Sequence, residues 1–111
     1  MQLDGVGEVI AARTLKLQND EGASSEVSVL LGKPQPTPDQ RDYYCPYQIK
    51  GAGSEKVKCS YGIDAVQALL LTLSILSVQL EVLNKETGGR LSWEGDENGG
   101  FGFPEMPPAI T

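Results

Sequence analysis

Two thiols, an arginine set in an apolar stretch, four tyrosines and a knot of acids near the C-terminus are the side chains of this 111-residue chain best equipped for chemistry. Cys45 and Cys59 invite a disulfide or redox reading. They do not have the CxxC spacing of redox motifs, and no neighbour in sequence lowers a thiol pKa. We read them as small buried hydrophobes. Glu94, Asp96, Asn98, Gly99 and Glu105 fall at positions 1, 3, 5, 6 and 12 of a calcium loop, where oxygen ligands can wrap the ion. This candidate is weak. Position 1 is not Asp, Phe101 stands where an aliphatic residue belongs, and Pro107-Pro108 leaves little room for an exiting helix. An acidic, glycine-rich turn that reverses the tail is the simpler reading. The sequence holds no histidine. That removes Ser–His and Cys–His nucleophile pairs, histidine metal sites and the commonest general base near neutral pH. Gly5-Val6-Gly7 and Gly51-Ala52-Gly53 lack the pattern of a phosphate-cradling loop and read as turns. With no catalytic constellation, no cofactor site and no firm metal site, an enzyme is the less favoured class.

Charge narrows the partners. Fifteen acids against nine bases leave −6, the wrong sign for phosphate contacts, so nucleic acid is not expected. At 40% apolar and 22% charged, the chain suits a soluble globular domain large enough to need no staple. Met1 is not followed by a basic and then an apolar stretch, so we expect no secretory signal and a cytoplasmic protein.

The dominant element that must position these groups runs from Gly62 to Lys85 (GIDAVQALLLTLSILSVQLEVLNK), uncharged from Ala65 to Leu80. Asp64 can cap its first turn, with Gln67 reaching back to the cap's own N–H. Lys85 and Gly88-Gly89 suit its other end. The helix predicted over Ala65 to Glu86 is about 33 Å long. At about 100° per residue, Ala65, Val66, Leu69, Leu73, Leu76, Leu80 and Leu83 share one arc. Gln67, Ser74, Ser77, Glu81, Asn84 and Lys85 form a polar strip opposite. Ala68, Leu71, Ile75, Val78 and Val82 lie between and are apolar too, more than a surface helix needs. A membrane span would use the excess, but Gln67, Thr72, Ser74, Ser77 and Gln79 interrupt the run, and no membrane is expected. Two explanations compete. Either sheet and tail wrap the helix, or the face Leu71, Ile75, Val78 and Val82 meets a partner, most simply a second copy across a twofold axis.

Strands precede the helix. Val9 to Leu17 and Glu26 to Leu31 read as a hairpin centred on Gly22, pairing Leu17 with Val27, Leu15 with Val29 and Arg13 with Leu31. Arg13 is an odd guest on that core face, expected at the sheet's end and reaching for an acid. Pro34, Pro36 and Pro38 mark residues 33–41 as a stiff loop. Asp42 to Ile49 and Glu55 to Tyr61 read as a second hairpin around KGAGS, with Cys45 opposite Cys59 and Tyr43 opposite Tyr61. One face then collects Tyr43, Cys45, Tyr47, Ile49, Val57, Cys59 and Tyr61 as a floor for the helix. The other, with Tyr44, Pro46, Gln48, Lys56, Lys58 and Ser60, meets solvent. Pro46 makes its strand an edge or a bulge. Phe101 and Phe103, flanked by glycines, are expected to pin the tail into a groove beside the helix.

In DYYCPYQI, the helix opening GIDAVQALLLTL and the closing W…GGFGFP, the chain resembles a small bacterial family of single-domain proteins of unknown function, over roughly Val9 to Pro104. The resemblance implies a bacterial, single-domain origin and assigns no functional residue. From the residues themselves we expect a single α+β domain over 1–111. It has an antiparallel sheet of four strands from two β-hairpins, room for a fifth near Leu91 to Trp93, and one long C-terminal helix on a face. Residues 94–111 form a Gly/Pro-rich acidic tail. The first functional expectation is a small non-enzymatic protein-interaction domain, homodimeric through the helix's second face or immunity-protein-like by analogy. The alternative is a small-molecule-binding domain with Arg13, Trp93 and Phe101 around its pocket.

Overall fold

The computed structural model describes residues 3–96 and 99–104. Six strands and one helix follow in order: β1 (Val9–Gln18), β2 (Ser24–Gly32), β3 (Gln35–Pro36), β4 (Tyr43–Lys50), β5 (Lys58–Gly62), α1 (Ala65–Glu86) and β6 (Leu91–Ser92). All pairings are antiparallel. β4 has β5 on one edge and β2, continued by the short β3, on the other; β1 pairs β2, and β6 pairs β1. α1 crosses one face and packs on β4 and β5. This is the expected α+β architecture, with the short strand after the helix present as β6. The core joins Leu15, Val27, Val29, Leu31 and Tyr47 of the sheet to Leu76, Leu80 and Leu83 of α1, closed by Leu91 and Phe101.

The first hairpin differs from expectation by two residues: Leu15 faces Val27 and Arg13 faces Val29. Its turn explains the slip. The Asn19 carboxamide accepts from the N–H groups of Glu21 (2.9 Å) and Ala23 (3.0 Å), and the Asn19 N–H donates to the Ala23 carbonyl at 2.8 Å. The loop closes between Gln18 and Ser24, so Gly22, at φ 83°, is its left-handed last corner rather than its centre. A slip of two leaves every side chain on its expected face.

The second hairpin slips by one, which does change faces. Tyr44 pairs Tyr61, Cys45 pairs Ser60 and Pro46 pairs Cys59, so the expected Cys45–Cys59 and Tyr43–Tyr61 pairings do not form. Ser60 and Gly62 take the helix-facing side, and Tyr61 is exposed. Gly62 sets this register. A Cβ there would collide with the Ala68 backbone nitrogen and stand 2.9 Å from the Gln67 carbonyl carbon, so only glycine lets β5 approach α1 this closely. Pro46 is not on an edge: β4 is internal, and Pro46 falls opposite the break between β2 and β3. Nor does it face solvent. It is buried next to Gly32 and the buried Val6, where the N-terminal segment crosses behind the sheet and Lys33 N–H donates to Glu8 at 2.8 Å.

α1 begins where Asp64 accepts from the Gln67 N–H at 2.8 Å. The Gln67 side chain returns to the Ile63 N–H at 2.7 Å rather than to the cap's own. It ends in a Schellman motif, Gly89 N–H to the Asn84 carbonyl at 2.7 Å and Gly88 N–H to Lys85 at 3.2 Å, both glycines left-handed. The Asn84 side chain accepts from Leu91 N–H at 3.0 Å and so ties β6 to the helix end. The buried arc holds Ala68, Thr72, Leu76, Leu80 and Leu83. Val66, expected in it, is exposed, because the contact at Gly62 turns Ala68 toward the sheet instead. The Thr72 hydroxyl donates to Ala68 at 2.9 Å and to Cys45 at 3.4 Å, which satisfies it inside the core. Ser74, expected on the polar strip, is buried. By length and composition α1 is apolar enough to cross a membrane, a test that core helices also pass.

Candidate functional site

α1 has two flanks beside its buried arc, and they are treated differently. Toward β6 the tail returns: Phe101 is buried, Phe103 is half-buried, and both line a cleft of about 410 Å³ with Ser77, Glu81, Asn84 and Lys85. This is the groove expected for the tail. On the other flank Leu71, Val78 and Val82 are 36%, 44% and 49% exposed, and Ile75 is half-buried against the core. The described tail does not reach this flank.

That open flank forms one wall of a groove of about 320 Å³. Val78, Val82 and Leu83 face Tyr47, Ile49 and Ala52, with Lys56 and Lys58 on the lip. The Tyr47 hydroxyl accepts from the Gln79 side chain at 2.9 Å, which fixes the groove's floor. Burial pushes the Tyr47 phenol above its ordinary range, with the Gln79 hydrogen bond opposing. Among the described residues the ion pairs are Lys16–Glu94 and Arg90–Asp20, so neither lip lysine is neutralised. Lys56 and Lys58, expected on the face turned away from the helix, stand instead beside Val78 and Val82, because the one-residue slip sets Lys58 opposite Tyr47.

On the tail flank the structure brings Arg13, Trp93 and Phe101 together. The Arg13 guanidinium lies 3.9 Å from the Trp93 ring centroid and 4.9 Å from that of Phe103, and its Nη1 donates to the Phe101 carbonyl at 2.9 Å. Arg13 therefore sits mid-strand and half-buried, wrapped by aromatics and a carbonyl, rather than at the sheet's end beside an acid. The tail's glycines are part of this arrangement. A Cβ on Gly95 would collide with the indole, and one on Gly102 with both the indole and the Arg13 guanidinium. Glycines flanking aromatics in GGFGFP are the sequence signal for such close packing, though they do not name the arginine.

The remaining candidates are dispersed. Cys45 is buried, Cys59 is partly exposed on the other face, and both thiols are free. Burial pushes the Cys45 thiol up, against a hydrogen bond involving Thr72 and with a smaller push from Cys59. Glu94 is exposed and pairs with Lys16 at 3.1 Å, Asp96 N–H closes a turn on the Trp93 carbonyl, and Asn98 and Glu105 lie outside the described residues. Among the described residues, no three Cys, Asp or Glu side chains gather as a metal site.

The family described as a domain of unknown function, DUF6968, matches residues 11–105, well over half the chain. The chain belongs to this family. The match spans all six strands except the start of β1, together with α1 and the tail through Phe103, so both flanks of α1 lie inside the DUF6968 domain. No curated protein and no solved structure matches the chain.

Proposed function

We propose that the protein is a small non-enzymatic interaction domain that pairs with a second copy of itself through the open flank of α1. The observation carrying this reading is the exposure of Leu71, Val78 and Val82 beside Ile75. Their 4-3-4 spacing is that of a helix-packing seam, made of one Leu and three β-branched residues. Two copies of one helix present the same seam to each other across a twofold axis. The groove behind the seam carries both signs, Lys56 and Lys58 on the lip and Glu86 at the helix end, and a twofold sets one against the other. The buried, high-pKa thiol of Cys45 is a poor nucleophile, and the sequence supplies no histidine to activate one.

Val78→Glu places a charge in the middle of the seam without touching the core. The expected result is loss of self-association with an unchanged far-ultraviolet spectrum. Unchanged mass and solubility in both Leu71→Glu and Val78→Glu would remove the proposal.

A recess beside Arg13 supports a second reading, that of a small-molecule-binding domain.

A further inference from the structure

The recess on the tail flank holds about 280 Å³ and is walled by Ala11, Val29, Leu31, Leu73, Phe103 and Arg13. Its surface is apolar apart from one cation, the usual composition of a ligand site in which a single polar group fixes orientation. Arg13 occupies a helix-facing position of β1, opposite the buried Val29. A cation at such a position ordinarily comes with an anion. The two ion pairs among the described residues involve Lys16 and Arg90, and neither includes Arg13. The stacking on Trp93 and Phe103 and the bond to the Phe101 carbonyl hold the guanidinium plane fixed. Among the described residues one of its five N–H donors is used, so the rest of the fork is where a further group can be received.

We propose that this recess binds a small carboxylic acid with an apolar body, its carboxylate on the edge of Arg13 and its body against Leu31 and Leu73. A planar, singly charged carboxylate matches the guanidinium fork, whereas a dianionic phosphate calls for more than one cation and a wetter lining. Size sets the rest. A cavity of about 150 Å³ takes one benzene, so this one accommodates a single ring or a short aliphatic chain together with its carboxylate. The site lies on the opposite flank of α1 from the self-association seam and does not depend on it.

The full chain is titrated with benzoate, phenylacetate and hexanoate and with the three matching amides, followed by Trp93 emission and by backbone amide shifts. At least one acid is expected to bind, and at least tenfold more tightly than its amide, roughly the worth of one charge-assisted pair. Arg13→Lys keeps the charge but loses the stacked fork, and is expected to weaken the acid about tenfold. Because Arg13 also holds the tail, Ala11→Leu is the decisive variant. Ala11 is exposed at the rim, so the added bulk narrows the recess while melting temperature and tail packing stay as they are. Binding is expected to fall at least tenfold, in keeping with the loss of a fitted site. The proposal is overturned if no acid perturbs either signal by about 10 mM, the weak end of specific affinity, if amides bind as well as acids, or if Ala11→Leu binds unchanged.

Discussion

A methyl group at position 102 would need the space that the Trp93 indole and the Arg13 guanidinium already fill, and the backbone there is left-handed at φ 78°. Gly102→Ala is therefore expected to cost about 2–3 kcal/mol, strain plus overpacking, and to red-shift Trp93 as the tail lifts. Gly99→Ala, equally left-handed at φ 89° but facing open space, is the control; it should cost about 1 kcal/mol, the backbone part alone. Urea titrations of both variants make the comparison. The cysteines offer a second residue-scale check. Cys45 is fully buried and Cys59 is not, so a thiol reagent should label Cys59 in the native protein and Cys45 only as the fold opens, as peptide mapping would read directly. Equal labelling would contradict the pairing of β4 with β5. Cys45 and Tyr47 both have folded pKa values raised, chiefly by burial. The native state then keeps protons that the unfolded chain, titrating near about 8.5 and 10, gives up. Their contribution is whole below about pH 8.5 and is lost as pH rises through the folded values. Melting temperature should stay level through neutrality and fall above about pH 9, less steeply in Cys45→Ala.

At the scale of elements, the contact between β5 and α1 governs the register of the second hairpin. In Gly62→Ala the new methyl meets helix backbone, which cannot swing aside as a side chain can. About 3 kcal/mol or more of stability should go, and denaturant midpoints would show it. A cost under about 1 kcal/mol would mean that β5 does not lean on α1 as described. This contact also marks how far the sequence could be read. α1 was legible because its caps and period are local: Asp64, Gln67 and the Gly88-Gly89 stop lie within a turn of what they satisfy. The faces of β1 and β2 were legible despite the wrong turn corner, since the slip was even. Cys59, Tyr61 and Pro46 were misplaced because tertiary contacts decide them, Gly62 against Ala68 and Val6 behind Pro46. The Arg13 cluster was legible only as separate candidates. Arg13 and Phe101 stand 88 positions apart, and no local pattern joins them.

The described residues form a slab of 49 × 36 × 21 Å, one sheet and one helix deep. Among the described residues, two layers bury one side of α1 and no third covers its far side. The tail covers the flank toward β6, and the flank of Leu71, Val78 and Val82 stays open. Stacking two copies helix to helix turns two layers into four and covers both seams at once. The most direct test is sedimentation equilibrium of the wild type and Val78→Glu across a concentration series. The wild type is expected to approach twice its 11.9 kDa chain mass as concentration rises while the folded variant stays at the single mass. A wild type that holds the single mass at every concentration reached would contradict it.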